Sequence, residues 1–452
     1  MNTDTITPTP EQVIVGCKLV LEKNQRGDYT VPAEGLYPHQ WLWDSCFIAI
    51  GLAEYDIPRA QKELRSLLRG QWSNGMLPNM IFADGDNHKR DRNIWQSWRN
   101  PYAPDHVKTS GITQPPMLAE AVVRIGSKLK TVERRSWYQD MYPALLAYHE
   151  WMYTERDPHN EGLILLIHPW ESGLDNSPPW IDQLHMHSKP LWVSIIEKLK
   201  LDKLAIIFRR DTQHVPPGQR VSNIDALLYF VIIQRLKRKN WDIERILDRS
   251  HFAFQDLTFN SILVRANKHL TEIAKTIGHK LPDELLDDMK KTEESLESLW
   301  DGFYKQYYSR TFITHKLVKE PSIATLMPLY AGSIDKERAS EIVKTLKSPN
   351  QFWTEFPIPS VPISSSWYKE LGYWQGPTWI NTNWLIADGL RRYGFDEEAN
   401  EITNKSIELV TQNGPHEYFS AVNGRPAGAK NFSWTAGLII EMIANKTKEE
   451  ER

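Results

Sequence analysis

The chain has 452 residues, 41% of them hydrophobic and 25% charged, which is ordinary globular usage. At roughly 150 residues per domain, that length would suggest about three domains. With 54 Lys and Arg against 57 Asp and Glu, the net charge is −3, so the basic footprint of a nucleic-acid binder is missing. Two cysteines, Cys17 and Cys46, exclude a disulfide scaffold and a multi-cysteine metal cluster. The longest apolar run, Ala226 to Ile233, is far short of the roughly 20 residues that cross a bilayer. No basic stretch followed by an apolar one opens the chain, so the expectation is a cytoplasmic protein with no membrane partner.

Along the chain, residues 1–10 read as a polar tail and residues 446–452 as a charged one. Between them, residues 11–445 contain no Gly/Ser linker, low-complexity tract or shift of composition, which favours one domain. Apolar residues recur at three- and four-residue spacing in Glu11–Lys23, Trp43–Glu54, Arg59–Arg69, Pro116–Leu129 and Trp137–Tyr153. The same period continues in Leu191–Leu204, Asn223–Lys237, Trp241–Leu247, Ala253–Gly278, Asp283–Phe303 and Ile323–Leu329. It closes the chain in Ser333–Leu346, Pro377–Tyr393, Asp396–Asn413 and Ser433–Ile443. Strand-like alternation is rare, Gly162–Ile167 being the best candidate. The fold class is all-α, built by helix-on-helix layering.

The segments between these helices are not plain connectors. The chain has 18 Trp, 17 Tyr and 14 Phe, and many of the rings fall in Tyr37–Asp44, Gln71–Thr113, His168–Trp180, Gln351–Gly376 and Gly414–Phe432. Long loops are usually functional or disordered, and aromatic content argues against disorder. If the helices pair antiparallel in a ring, alternate loops gather on one face and these five line one cavity. Aromatic walls with a few placed polar groups suit a small ligand such as a sugar.

Within those loops, Glu171, Asp175 and Asp182 lie among Trp and Pro, where burial should raise a carboxyl pKa. A carboxyl still protonated near neutrality can act as general acid. Glu417, flanked by His416 and Tyr418 in a turn-rich loop, supplies a second carboxylate. Together they suggest the paired carboxylates of a glycosidase. Three other signals are set aside. His185-Met186-His187 has no further metal ligands nearby, Asp157–Gly162 reads as a turn lacking the full twelve-residue calcium pattern, and Asp84-Gly85-Asp86-Asn87 reads as an exposed loop.

Four segments carry a resemblance: Tyr37-Pro38-His39-Gln40-Trp41-Leu42-Trp43-Asp44, His168–Pro178, Tyr373–Asn381, and Glu417-Tyr418 through Phe432–Ala436. In this order, spanning nearly the whole chain, they resemble glycoside hydrolase family 63, and most of all its short members that hydrolyse mannosylglycerate or glucosylglycerate. The resemblance implies an (α/α)6 barrel, a toroid of six helix hairpins with long aromatic loops on the active-site face. It implies an inverting α-glycosidase with Asp175 as general acid and Glu417 as general base, and no metal or organic cofactor. Inversion predicts a carboxyl separation of about 6.5–9.5 Å.

The same matches place Tyr37, Trp41, Trp43 and Asp44 around the sugar, with Gln114 touching substrate and Tyr373, Trp374, Gln375 and Trp379 near the leaving group. Trp43 and Trp379 would equally suit packing between helices. A glycerate leaving group needs a cation, and a guanidinium binds a carboxylate in bidentate fashion. The run Phe208–Val215 with Arg220 is the expected source, and Arg209 is favoured within it, although Val221 and Ile224-Asp225-Ala226 depart from the family pattern. The expected partner is a small-molecule sugar. A neutral di- or oligosaccharide on the same fold, or a non-catalytic sugar-binding scaffold, are the competing readings. Gluco against manno preference and oligomeric state, with a homo-oligomer one option, stay open.

Overall fold

The computed structural model describes residues 8–201, 209, 211–248 and 252–450. Twelve of its helices alternate between two concentric layers. They are α1 (Pro10–Lys23), α2 (Leu42–Leu52), α3 (Ile57–Leu68), α4 (Leu118–Ser127), α5 (Thr131–Arg156) and α6 (Leu257–Ile277), followed by α7 (Asp283–Leu296), α8 (Pro328–Ala331), α9 (Lys336–Leu346), α10 (Ile380–Arg392), α11 (Asp396–Asn413) and α12 (Ser433–Glu450). The even-numbered helices close an inner ring: α2 packs on α4, α4 on α6, α6 on α8, α8 on α10, α10 on α12, and α12 on α2. The odd-numbered helices lie outside, α1 on α12, α3 on α2, α5 and α7 on α6, α9 on α8 and α11 on α10. This is an (α/α)6 barrel.

Sequence patterning sorts the helices into their layers. Every residue of α2, from Leu42 to Leu52, is buried, as an inner helix apolar on all sides should be. In α3, Ala60, Leu64 and Leu67 form one buried stripe while Lys62 and Arg65 face solvent. The ring closes tightly where α2 meets α12: a Cβ on Gly51 would lie 2.2 Å from the carbonyl oxygen of Gly437, so only glycine lets the two helices approach this closely. Within the ring, Glu120 of α4 accepts from Arg124 Nε at 2.6 Å, from the Tyr330 hydroxyl at 2.8 Å, and pairs with His269 Nε2 at 2.6 Å. That knot ties α4, α6 and α8 together.

Inner-to-outer connections are short, such as Ala53–Asp56 and Tyr393–Phe395, and short links join antiparallel neighbours. The outer-to-inner connections therefore emerge together at the other end. Four of the five aromatic segments fall wholly in those connections, and the fifth, Tyr37–Asp44, begins in one and runs into the first turn of α2, as the ring expectation requires.

Some boundaries differ from the sequence reading. Helix α1 starts at Pro10, capped by the Thr9 side chain, and α12 continues through Lys446 to Glu450, where Lys448 Nζ reaches Glu54 at 3.0 Å, so residues 446–450 are helix, not tail. Gly162–Ile167 forms no strand. Its residues from Leu163 to Ile167 are buried, and Asn260 serves the backbone on both sides, accepting from Ile164 N at 2.8 Å and donating to Ile164 O at 3.1 Å, so that one bridge, Leu166 to Phe254, suffices. The helix opening at Leu191 ends at Lys198, and Asp202 to Leu204 lie outside the described residues. Among the described residues no helix is long and apolar enough to cross a membrane.

Candidate active site

Glu417 sits on strand β1 (His416–Phe419), which pairs with β2 (Pro426–Lys430) in a hairpin between α11 and α12. The ladder slips between Ala427 and Lys430. Gly428 occupies that slip with φ +70°, and a Cβ there would lie 2.5 Å from Glu417 Oε2, so both conformation and space demand glycine. Glu417 is 1% exposed. Four donors converge on it: the Tyr37 hydroxyl at 2.8 Å and Arg220 Nη1 at 2.9 Å on Oε1, and Arg220 Nη2 at 2.5 Å and the Ala429 amide at 2.8 Å on Oε2.

The hairpin also positions that arginine. Tyr418 donates its hydroxyl to Gln219 O at 2.6 Å, and the Gly428 amide donates to Gln219 Oε1 at 3.0 Å, pinning the turn that carries Arg220. The guanidinium lies 5.6 Å from the Tyr37 ring centre and 5.0 Å from that of Tyr373, within cation–π range. Burial works against its charge, but Glu417, Tyr37 and Tyr373 together more than offset this and hold its pKa well above the usual value.

Asp175 lies across from this pair, on the loop between α5 and α6. Its backbone carbonyl accepts from the hydroxyl of Tyr229 and from Trp180 Nε1 at 3.5 Å. Its carboxyl accepts from the Tyr373 hydroxyl at 3.0 Å. Burial pushes the Asp175 pKa up to about 7; the Tyr373 hydrogen bond and the Arg220 charge pull it down, and the charge of Glu417 adds to the rise. Asn176 fixes the register of the two loops, accepting from Trp374 N at 2.8 Å and donating to Gly372 O at 3.1 Å, while Gln375 Nε2 donates to Asn176 O at 2.9 Å.

Asp44, in the first turn of α2, completes the group. Burial raises its pKa well above the ordinary range, and the charges of Glu417 and Asp175 add to this. Glu171, by contrast, is spent on structure: it forms a buried ion pair with Arg156, at 2.9 and 3.0 Å, and accepts from the amides of Thr113 and Ile167.

The structure thus brings Tyr37, Glu417, Tyr373 and Asp175 together through Arg220, with Asp44 close enough to feel the charges of both Glu417 and Asp175. Trp41 meets the Tyr37 ring edge-on at 6.0 Å. Trp43, Trp374 and Trp379 form a packed aromatic wall behind it, Trp374 and Trp379 stacked face to face at 3.7 Å and Trp43 against Trp374 and Trp434. Gln114 stands behind Trp43, accepting from its amide at 3.4 Å. Arg209 is not brought to the pair: it binds Asp211 and, at 2.9 and 3.0 Å, Val221 O and Asn223 Oδ1. Phe208 and Arg210 lie outside the described residues. Sequence reasoning missed Arg220 as the partner of Glu417, and Asn176, Tyr229 and Gly428 as positioning residues. Asn176 and Gly428 lay inside segments that could have flagged them; Tyr229 did not.

The signals set aside resolve simply. His185 Nε2 pairs with Asp225 Oδ1 at 2.7 Å, and Asp157 accepts the amides of Glu161 and Gly162 at 2.7 and 2.6 Å, closing a turn. His39, His88 and Asp91 do place possible ligand atoms within 4.8 Å of one another. His39 Nδ1, however, accepts the Ala83 amide at 3.2 Å, which leaves the ring proton on Nε2, facing Asp91 at 3.4 Å. A neutral ring so arranged donates to the carboxylate and has no lone pair for a metal.

One buried carboxyl whose pKa is raised to about 7 and a second gripped by an arginine, in a site walled by indoles, form an arrangement that suits a glycosidase. Residues 37–435 match the family model described as the mannosylglycerate hydrolase MGH1-like glycoside hydrolase domain, and the chain belongs to that family, within glycoside hydrolase family 63. It is 35% identical to the mannosylglycerate hydrolase of Rubrobacter radiotolerans over 96% of this chain and 98% of that one. It is 30% identical to the glucosylglycerate hydrolase of Mycolicibacterium hassiacum, over 96% and 98%. The crystal structure of the family 63 mannosylglycerate hydrolase from Thermus thermophilus in complex with Tris and D-glycerate superposes with a TM-score of 0.84 at 34% identity, covering 95% of this chain and 99% of that one.

Proposed function

We propose that this protein hydrolyses an α-linked glycosylglycerate, glucosylglycerate or mannosylglycerate, with inversion at the anomeric carbon. The observation that carries this reading is the asymmetry of the two carboxyls. Asp175 is raised to about 7, so it holds a proton to give; every partner of Glu417 is a donor, so it is built to accept one. In the reaction Asp175 protonates the glycosidic oxygen as its bond to C1 breaks. Glu417 takes a proton from a water whose oxygen attacks C1 from the opposite face, and the products are a hexose and glycerate. The carboxyls are joined through Tyr373 and Arg220 rather than by a shared hydrogen bond, which suits a gap holding sugar and water.

The names of the relatives support the glycerate leaving group, as does the D-glycerate in the Thermus thermophilus complex. We read residues 10–450 as one catalytic domain using no cofactor. Two buried, unpaired cysteines, Cys17 and Cys46, favour a reducing compartment and hence the cytoplasm. Incubation with glucosylglycerate, mannosylglycerate, trehalose and kojibiose, followed by assay of free hexose, tests the reading. Release from a glycosylglycerate is expected; release from the neutral disaccharides alone would overturn it.

A further inference from the structure

Beside the acid lies a cavity of about 540 Å³, lined among others by Asn176, Asp182, His185, Arg220, Lys369 and Gln375. It adjoins the residue that follows Asp175 and the loop that carries Tyr373, so it lies on the acid's side of the site.

The charges around it are not equal in availability. Arg220 is committed to Glu417 through both terminal nitrogens, and His185 faces Asp225. Lys369 pairs with no carboxylate among the described residues; its Nζ donates to Gln375 Oε1 at 3.1 Å. Its position is nevertheless built. The Lys369 amide donates to Gln375 O at 2.7 Å, Gly372 N donates to Lys369 O at 2.8 Å, and Gln375 reaches back to Asn176 O. The ammonium is thereby tied, through one side chain, to the residue beside the acid. Asp182, exposed on the helix Pro178–Ser188, supplies an acceptor on the same cavity.

We propose that Lys369 receives the carboxylate of the leaving group and is the residue that selects an anionic glycoside over a neutral one. Glycerate offers a carboxylate and a free hydroxyl, and the cavity offers an uncommitted cation and a separate acceptor. The inference rests on the glycosylglycerate reading above and adds to it which cation does the selecting. Arg209 does not compete, since Asp211 already neutralises it.

The test compares full-length wild type with Lys369→Met and Lys369→Arg on glucosylglycerate and on its neutral methyl ester. One charged hydrogen bond corresponds to roughly a tenfold to hundredfold change. Lys369→Met should lose that much kcat/KM on the acid, mainly through KM, and far less on the ester, with Lys369→Arg recovering most of the loss. Inhibition by free D-glycerate should weaken in parallel while inhibition by glucose does not. Equal losses on acid and ester, or no loss on the acid, would overturn the assignment of Lys369 and leave the hydrolase reading intact. A wild-type enzyme that cleaves neither glycosylglycerate would instead overturn that reading.

Discussion

Arg220 grips Glu417 with both terminal nitrogens, and the same guanidinium lies 5.0 Å from the ring centre of Tyr373, whose hydroxyl rests on Asp175. One cation therefore touches the environment of both carboxyls. It binds the first directly and draws down the pKa of the second, which burial would otherwise push higher.

The division of labour predicts that Asp175→Asn and Glu417→Gln each lower kcat by roughly a hundredfold to ten-thousandfold. Asp175→Asn costs no stability, whereas Glu417→Gln, which breaks the buried pair with Arg220, also lowers the melting temperature, so its kcat is read well below that melt. Glu171→Gln should behave differently. Because Glu171 is the buried partner of Arg156, its loss should lower stability first and activity only in consequence. Circular dichroism melts alongside kcat separate the two outcomes.

A general acid must be protonated, so kcat/KM should fall as pH rises through about 7, the value to which burial brings Asp175. The Tyr373 hydroxyl favours the ionised form by hydrogen-bonding to it. Tyr373→Phe should therefore move that alkaline limb to higher pH, measured as the pH profile of kcat/KM. A limb that stays in place or moves down contradicts the assignment of Asp175.

The same shift has a cost in stability. Below about pH 3.8, the ordinary value, Asp175 is neutral folded and unfolded. Between that value and about 7 the unfolded chain ionises while the folded carboxyl keeps its proton, so stability falls with rising pH, by about 1.4 kcal/mol per pH unit. Asp175→Asn should thus raise the melting temperature more at pH 8 than at pH 4.

Removing one member of a buried ion pair costs roughly 3–5 kcal/mol. Arg220→Met should lose about that much in urea unfolding, and Arg220→Met combined with Glu417→Gln should recover part of it.

Gly428→Ala places a methyl 2.5 Å from Glu417 Oε2 at φ +70°. Displacement of the base should cut kcat at least tenfold, while KM changes little.

The sequence made the layered helices and the loop-borne carboxyls legible, and physics explains where its reach ended. The period of three to four residues is written into α3 and α11 because each must bury one stripe. The crowding of Trp, Tyr and Pro into outer-to-inner connections marks the face on which Asp175 and Glu417 meet. Arg220 was harder to assign, because its role depends on a turn pinned by Tyr418 and Gly428 nearly 200 residues away. Arg209 looks equally suited in sequence. Its neutralising partner, Asp211, stands two residues on, but the sequence does not say whether that carboxylate pairs with Arg209 or faces solvent. Gly162–Ile167 reads as a strand since its residues are buried, yet the side chain of Asn260 takes the place of a neighbouring strand.

The most direct test of the paired-carboxyl account is the anomeric form of the hexose first released from an α-glycosylglycerate, followed by proton NMR before mutarotation. Attack by a water activated at Glu417, opposite the face protonated by Asp175, predicts the β-anomer first. Release of the α-anomer first would mean a covalent intermediate, and would contradict the roles of Asp175 as acid and Glu417 as base.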